Sequence, residues 1–152
     1  MAGDKKQKVV ITSGYFNPLH IGHINLMREA KKLGDILIVI VNNDEQVKLK
    51  GSVSFMPEQE RIDIVNSLQY VDETVLSVDS DRSIAKSLEM IAKKHNGKLF
   101  FAKGGDRNAG NIPETESAVC KKFSIEIVNG VGGDKVQSSS WLLSRSSKQN
   151  SN

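Results

Sequence analysis

Ile36-Leu37-Ile38-Val39-Ile40-Val41 is an unbroken apolar run rich in β-branched residues, with no polar residue alternating into it. A strand of that composition needs cover on both faces, and a parallel sheet with helices above and below supplies it. The rest of the chain agrees. Val9-Val10-Ile11-Thr12-Ser13-Gly14 reads as an earlier buried strand ending in a turn, and Leu99-Phe100-Phe101-Ala102 as a later one. Thr74 to Val78 and Ser124 to Val128 are shorter candidates. Helical stretches separate them. Ile24, Met27, Ala30 and Leu33 recur at helical spacing before Gly34, and Pro57 opens a helix to about Leu68. Asp81 is placed to cap a helix reaching about His95, with Ile84, Leu88, Ile91 and Ala92 as its apolar stripe. Pro113 starts another helix ending near Lys122. This alternation predicts an α/β fold: a parallel five-stranded sheet with helices on both faces.

With 152 residues, 38% of them hydrophobic, the chain suits one domain, expected over 9–143 between a flexible N-terminus (1–8) and a flexible tail (144–152). Ser138-Ser139-Ser140 before Trp141-Leu142-Leu143 reads as a capped last helix, and the tail beyond it has no apolar residue. The net charge of +3 is spread over scattered lysines without interleaved aromatics, so no nucleic-acid partner is expected. No apolar stretch is long enough to span a bilayer and the polar start is unlike a signal peptide, so no membrane role is expected. Cys120 is the only cysteine, which excludes a disulfide framework and suits a reducing cytoplasm. No G-x-x-x-x-G-K-[ST] is present, and Gly130-Val131-Gly132-Gly133 lacks the full dinucleotide pattern.

Sheets of this kind bind ligands outside the carboxyl ends of their strands. The segments that qualify are 13–23, 42–51, 103–111 and 130–140. In the first, His20-Ile21-Gly22-His23 lies at the mouth of a helix, where unpaired backbone N–H groups and the positive end of the dipole favour anions. Two imidazoles on one helical face can each donate to a phosphoryl oxygen as its charge builds. An attacking phosphate is already ionised and needs no base, so the pair fits phosphoryl or nucleotidyl transfer. A metal pair is disfavoured, because His95 is the only other histidine and Cys120 stands alone. Lys48-Leu49-Lys50-Gly51 leads a Gly/Ser loop without periodicity, whose lysines either swing over phosphates or are simply solvated. Lys103-Gly104-Gly105-Asp106-Arg107 is either an ordinary turn or a place of close backbone approach to a ligand, with Arg107 as a fork of donors. Ser138-Ser139-Ser140 is either an N-cap or a second anion site.

The composite of strand, Gly14, Tyr15, Phe16, Asn17-Pro18, the histidine pair and the helix resembles the HxGH signature of the nucleotidyltransferase superfamily, which includes cytidylyltransferases and adenylyltransferases. The resemblance runs from Val9 to about Leu143 and implies a Rossmann-like fold. Val41-Asn42-Asn43-Asp44, Lys50-Gly51 and Pro57-Glu58-Gln59-Glu60-Arg61 match the family's second strand, lysine loop and following helix start. That match implies that Lys50, with Lys48 beside it, binds phosphate. Lys103-Gly104-Gly105-Asp106 is similar to a segment of heptose-phosphate adenylyltransferase domains and small cytidylyltransferases, which implies that Lys103, Gly104, Asp106 and Arg107 border the nucleotide and acceptor. Ser138, Ser139 and Ser140 stand where the family has a Ser-Thr-Thr triplet, and Lys135 near where it often has an arginine, without the bidentate fork. Asn17 replaces an aspartate of many relatives, and its neutral side chain is not expected to ligate metal.

The resemblance therefore implies His20, His23 and Lys50 as catalytic residues. Gly14, Tyr15, Phe16, Asn17, Gly22, Lys48, Lys103, Gly104, Asp106, Arg107, Lys135 and Ser138 to Ser140 would surround the nucleotide. The implied reaction moves AMP or CMP from ATP or CTP to a phosphorylated small molecule, a sugar or heptose phosphate first, with Mg²⁺ carried on the triphosphate. Transfer of CMP to glycerol phosphate, phosphocholine or phosphoethanolamine, FAD formation, and a non-catalytic nucleotide-binding module are the alternatives. Family analogy also implies a homodimer.

Overall fold

Residues 7–105 and 112–134 are described by a computed structural model of the chain. Lys8–Gly14 (β1), Ile36–Val41 (β2), Glu73–Leu76 (β3), Lys98–Gly105 (β4) and Glu126–Asp134 (β5) form one parallel sheet in the order β3-β2-β1-β4-β5. The helices are Ile21–Lys31 (α1), Asp44–Leu49 (α2), Glu58–Asn66 (α3), Ala85–Lys94 (α4) and Glu114–Lys122 (α5). The expectations for the N-terminal extension before Gln7, for Asp106 and Arg107, and for Lys135, the Ser138 to Ser140 helix and the tail lie outside the described residues.

The continuous apolar strands have the predicted cause. Alternate residues of each strand face opposite layers. Val9, Ile11, Ile38, Ile40, Leu99 and Phe101 pack with Ile84, Leu88, Ile91 and Ala92 around α4 and with Cys120 of α5. Val10, Leu37, Val39, Val41, Phe100 and Ala102 face Leu26, Met27 and Ala30 of α1 and Val65 of α3. Cys120 is buried there, and burial raises its thiol to about 11, so it packs as a small hydrophobe. Among the described residues no helix is long and apolar enough to cross a membrane.

Strand order reverses beside β1, whose neighbours are β2 on one side and β4 on the other. The buried Thr12 hydroxyl donates to the Ala102 carbonyl at 2.9 Å, tying β1 to β4 just below that crevice. β4 and β5 run further than their apolar cores predicted. Register shifts after Ala102 let their glycine-rich ends keep pairing, Gly104 with Val131 and Gly105 with Asp134. Gly132 sits at φ +89, and a Cβ there would lie 3.0 Å from the backbone of Leu26, so α1 rests directly on the end of β5. Gly104 and Gly105 are therefore strand residues and not a turn.

Other boundaries move for local reasons. Lys8, assigned to the N-terminal extension, opens β1 and donates its N–H to Asp35 at 2.8 Å. Asp81 does not cap α4. Its Oδ1 accepts from the Ser83 backbone and hydroxyl, while the buried Asp79 accepts from the backbones of Lys86 and Ser87, so the helix starts at Ala85. The stretch leading to Lys50 is not structureless either. Asn43 and Gln46 form a capping box that starts α2.

Candidate active site

The chain leaves β1 at Gly14, whose lack of a side chain admits the ring of Phe16: a Cβ would meet that ring at 2.8 Å. Phe16 is fully buried in the left-handed region at φ 52, a conformation its neighbours must hold in place. Its ring meets that of His23 edge-on, centroids 4.8 Å apart. Phe16 is thus the floor under the second histidine.

The histidines cap their own helix. His20 is the N-cap of α1, and its Nδ1 accepts from the Gly22 N–H at 3.1 Å, while His23 Nδ1 accepts from the His20 N–H at 3.1 Å. This reciprocal arrangement follows the capping-box pattern with imidazoles in place of Ser and Glu. Accepting at Nδ1 fixes the neutral tautomer of both rings, with the proton on Nε2. The rings stack with centroids 3.8 Å apart and planes inclined by 27°. The backbone N–H groups of Gly22, His23 and Ile24 are all bonded to His20. Three of the amides that the sequence suggested as anion donors are thus bonded within the turn itself.

Burial, then the neighbouring His20, then the Lys50 ammonium push His23 down to about 3 from 6.5. His23 is neutral at physiological pH and acts as a donor with no net charge. Between those two values the unfolded chain binds a proton that the folded chain refuses. This contribution to stability is complete above 6.5 and is lost as pH falls toward 3. Urea midpoints taken between about pH 7 and about pH 4 should therefore fall with pH, and His23→Gln should flatten the slope. Equal slopes in the two proteins would show that the loss arises elsewhere.

Lys50 arrives from the other side. It is the C-cap of α2, and its Nζ lies 4.4 Å from the centroid of the Tyr15 ring. Gln46 anchors that helix. Fully buried, its Oε1 accepts from Asn42 Nδ2 and the Asn43 N–H, and its Nε2 donates to the carbonyls of Asp81 and Ser83. The backbone of Lys50 is thus held in helical geometry, and the irregular loop begins only at Gly51, at φ +85. Lys48 lies on the exposed side of α2, paired with Glu45 at 3.4 Å.

Arg61 joins these pieces. Its guanidinium is fully buried and donates to the carbonyls of Met56 at 2.9 Å, Tyr15 at 2.8 Å and Asn42 at 2.6 Å, and to Asp44 Oδ1 at 2.7 Å. The ends of β1 and β2, the start of α2 and the loop before α3 converge on one side chain. The sequence match named Arg61 but gave it no role. Asn17 is likewise used internally. Its buried amide donates to the Val53 carbonyl at 2.8 Å and accepts from the N–H groups of Phe55 and Met56 at 2.7 and 3.0 Å. It pins the loop beside the histidine turn.

Gly14, Tyr15, Phe16, Asn17, Gly22, His20, His23 and Lys50 are therefore brought together. Lys103 stands apart: its Nζ lies over the Phe101 ring at 4.9 Å, on the α4/α5 face, where its charge acts on the buried Glu116. Burial raises the Glu116 carboxyl above the ordinary range. Gly104 reaches α1 through Leu26, 3.1 Å from where its Cβ would be.

A family model described as cytidylyltransferase-like matches residues 11–129. The FAD synthase of Pyrococcus abyssi is 42% identical over 126 residues, covering 82% of this chain and 82% of that protein. The bifunctional protein HldE of Blochmanniella floridana is 40% identical over 107 residues, covering 70% of this chain but 21% of that protein. Among solved structures, the lipopolysaccharide core biosynthesis protein of Thermoplasma volcanium superimposes with a TM-score of 0.63 at 27% identity, covering 81% of this chain and 95% of that one. With its five-stranded parallel sheet and its histidine-capped first helix, the chain belongs to the cytidylyltransferase-like family of nucleotidyltransferases.

Proposed function

We propose that the chain transfers AMP from ATP to a phosphomonoester, and that the acceptor is FMN, giving FAD and pyrophosphate. The observation that carries this reading is the similarity to an FAD synthase over the same large share of both proteins, 82% of each. In this reading an oxygen of the acceptor phosphate attacks the α-phosphorus in line, and the bond from that phosphorus to the pyrophosphate oxygen breaks. His20 and His23 donate through Nε2–H to phosphate oxygens whose charge grows, and no proton need be removed from the nucleophile. Lys50 holds the leaving pyrophosphate as a point charge. Among the described residues no group of three or more His, Cys, Asp and Glu is arranged to hold a metal ion. In this reading a Mg²⁺ would come with the triphosphate and would neutralise part of its charge.

A heptose or other sugar phosphate is the second acceptor, favoured by the Lys103-Gly104-Gly105-Asp106 element and the similarity to HldE. A matrix of ATP and CTP against FMN, heptose phosphate and glycerol phosphate, read by pyrophosphate release, separates the readings. ATP with FMN should give the highest kcat/KM. A faster sugar phosphate would move the reading to the second acceptor, and release with CTP alone would overturn adenylyl transfer.

Lys50→Ala tests the lysine. Lys50 is exposed at a helix end, so unliganded stability should change by no more than about 0.5 kcal/mol. Turnover should fall by about tenfold or more if Lys50 acts on the leaving group, whereas a change in KM alone would mean ground-state gripping. A variant with unaltered kcat and KM would take Lys50 out of the reaction.

A further inference from the structure

Of the five large apolar side chains that the described surface exposes, Val78 lies after β3 beside α4 and the other four belong to the segments of the candidate site. Leu49 is 54% exposed, Val53 80%, Phe55 60%, and Ile21, inside the histidine motif, 55%. Leu49 precedes Lys50, which lies at the Tyr15 ring, and the loop returns to the histidine turn through the Asn17 bonds to Val53, Phe55 and Met56. The near end of the 51–56 segment is bonded to α2, where Gly51 and Ser52 donate to the Lys48 and Val47 carbonyls, and the far end is fastened at the histidine turn through Asn17, with Arg61 also holding the Met56 carbonyl. Its backbone is held from below while Val53 and Phe55 are left in water.

Exposing such residues beside a buried anchor forfeits the burial that would stabilise them. A ligand that covers them recovers it. The Lys50 ammonium and the two imidazoles thus neighbour this apolar rim. The complementary molecule is anionic at one end and flat and apolar at the other.

We propose that the Val53–Phe55 loop, with Leu49, is the platform on which the acceptor's planar fused aromatic ring lies while its phosphomonoester reaches the histidines. This rests on the reading of the chain as an adenylyltransferase for FMN and assigns the part of the site that selects a flat ring over a sugar. Phe55 supplies a ring face for stacking and Val53 a non-polar edge. The rim grips substrate away from the reacting atoms, so it acts on acceptor affinity and leaves the triphosphate alone.

The test is the double variant Val53→Ser/Phe55→Ser, compared with the unaltered chain by quenching of FMN fluorescence and by pyrophosphate release. Expected are FMN affinity weakened by about tenfold or more, a matching rise in KM for FMN, and unchanged KM for ATP and melting temperature. A double variant that binds FMN as tightly as the unaltered chain overturns the platform. Loss of a dimer by sedimentation with unchanged FMN affinity also overturns it, assigning the rim to a second copy. Failure of the unaltered chain to bind FMN, with AMP transferred to a sugar phosphate, overturns the platform while adenylyl transfer stands. No pyrophosphate from any pair, together with no FMN binding, overturns both.

Discussion

Replacing His23 by Ala should lower kcat by about a hundredfold or more, the scale seen when one donor to a transition-state oxyanion is removed. Its Nδ1 already accepts from the His20 backbone, so what it offers substrate is the Nε2–H. Its neutral state keeps that bond weak in the ground state and stronger as the phosphates gain charge. His20 is expected to matter as much, but its Ala variant also removes an N-cap worth about 1 kcal/mol. His20→Asn separates the two effects, because asparagine caps well and cannot place a donor where Nε2 lies. It should keep the melting temperature close to that of the unaltered chain and still lose about a hundredfold in kcat. The measurement is steady-state pyrophosphate release, with single-turnover data to show that chemistry limits the rate. An Asn variant within about threefold of the unaltered protein would remove His20 from the reaction.

The largest effect on stability is expected at Arg61. Arg61→Met keeps much of the volume and deletes every donor, leaving the Tyr15, Asn42 and Met56 carbonyls without their partner and Asp44 without its ion pair. Removing one side of a buried, charge-bearing network costs about 3–5 kcal/mol, and the lower end applies here because Asp44 remains partly solvated. Urea denaturation measures this directly. Arg61→Lys should recover little, since a single ammonium cannot reach carbonyls lying in different directions. A loss below about 1 kcal/mol for the Met variant would mean that water replaces the guanidinium and that the convergence of strand ends does not depend on it. Because Tyr15 and Asn42 lead to the histidine turn and to α2, protein of the Met variant that remains folded should also turn over more slowly.

The order of strands and helices was legible because burial on both faces leaves an unmistakable mark, as in Ile36 to Val41, and because Gly34, Pro57 and Pro113 punctuate the helices. The histidine turn was legible for a similar reason: its residues are contiguous, so the family resemblance in Gly14 to His23 could be seen without knowing the fold. Helix α2 was missed although its signal was present, the Asn43-x-x-Gln46 capping box, because a six-residue helix has too few turns to show an apolar stripe.

What only the tertiary structure decided depends on contacts across the chain. Arg61 meets Tyr15 across 46 residues and Asn42 across 19, and no local pattern announces that three carbonyls will share one guanidinium. Asn17 reads in the sequence as part of the contiguous signature, and only the fold shows that it also clamps a loop 36 to 39 residues away. Lys103 lies in a glycine-rich segment that reads as part of the nucleotide site, yet strand alternation turns its side chain to the layer of Phe101, away from α1. The sequence by itself determined the elements, their parallel pairing and the contiguous histidine motif, because these follow from local burial periodicity and short-range capping. Tertiary structure decided which polar side chains face a ligand and which are consumed in holding the strand ends together, because a buried donor goes to whichever unsatisfied carbonyl packing brings within reach.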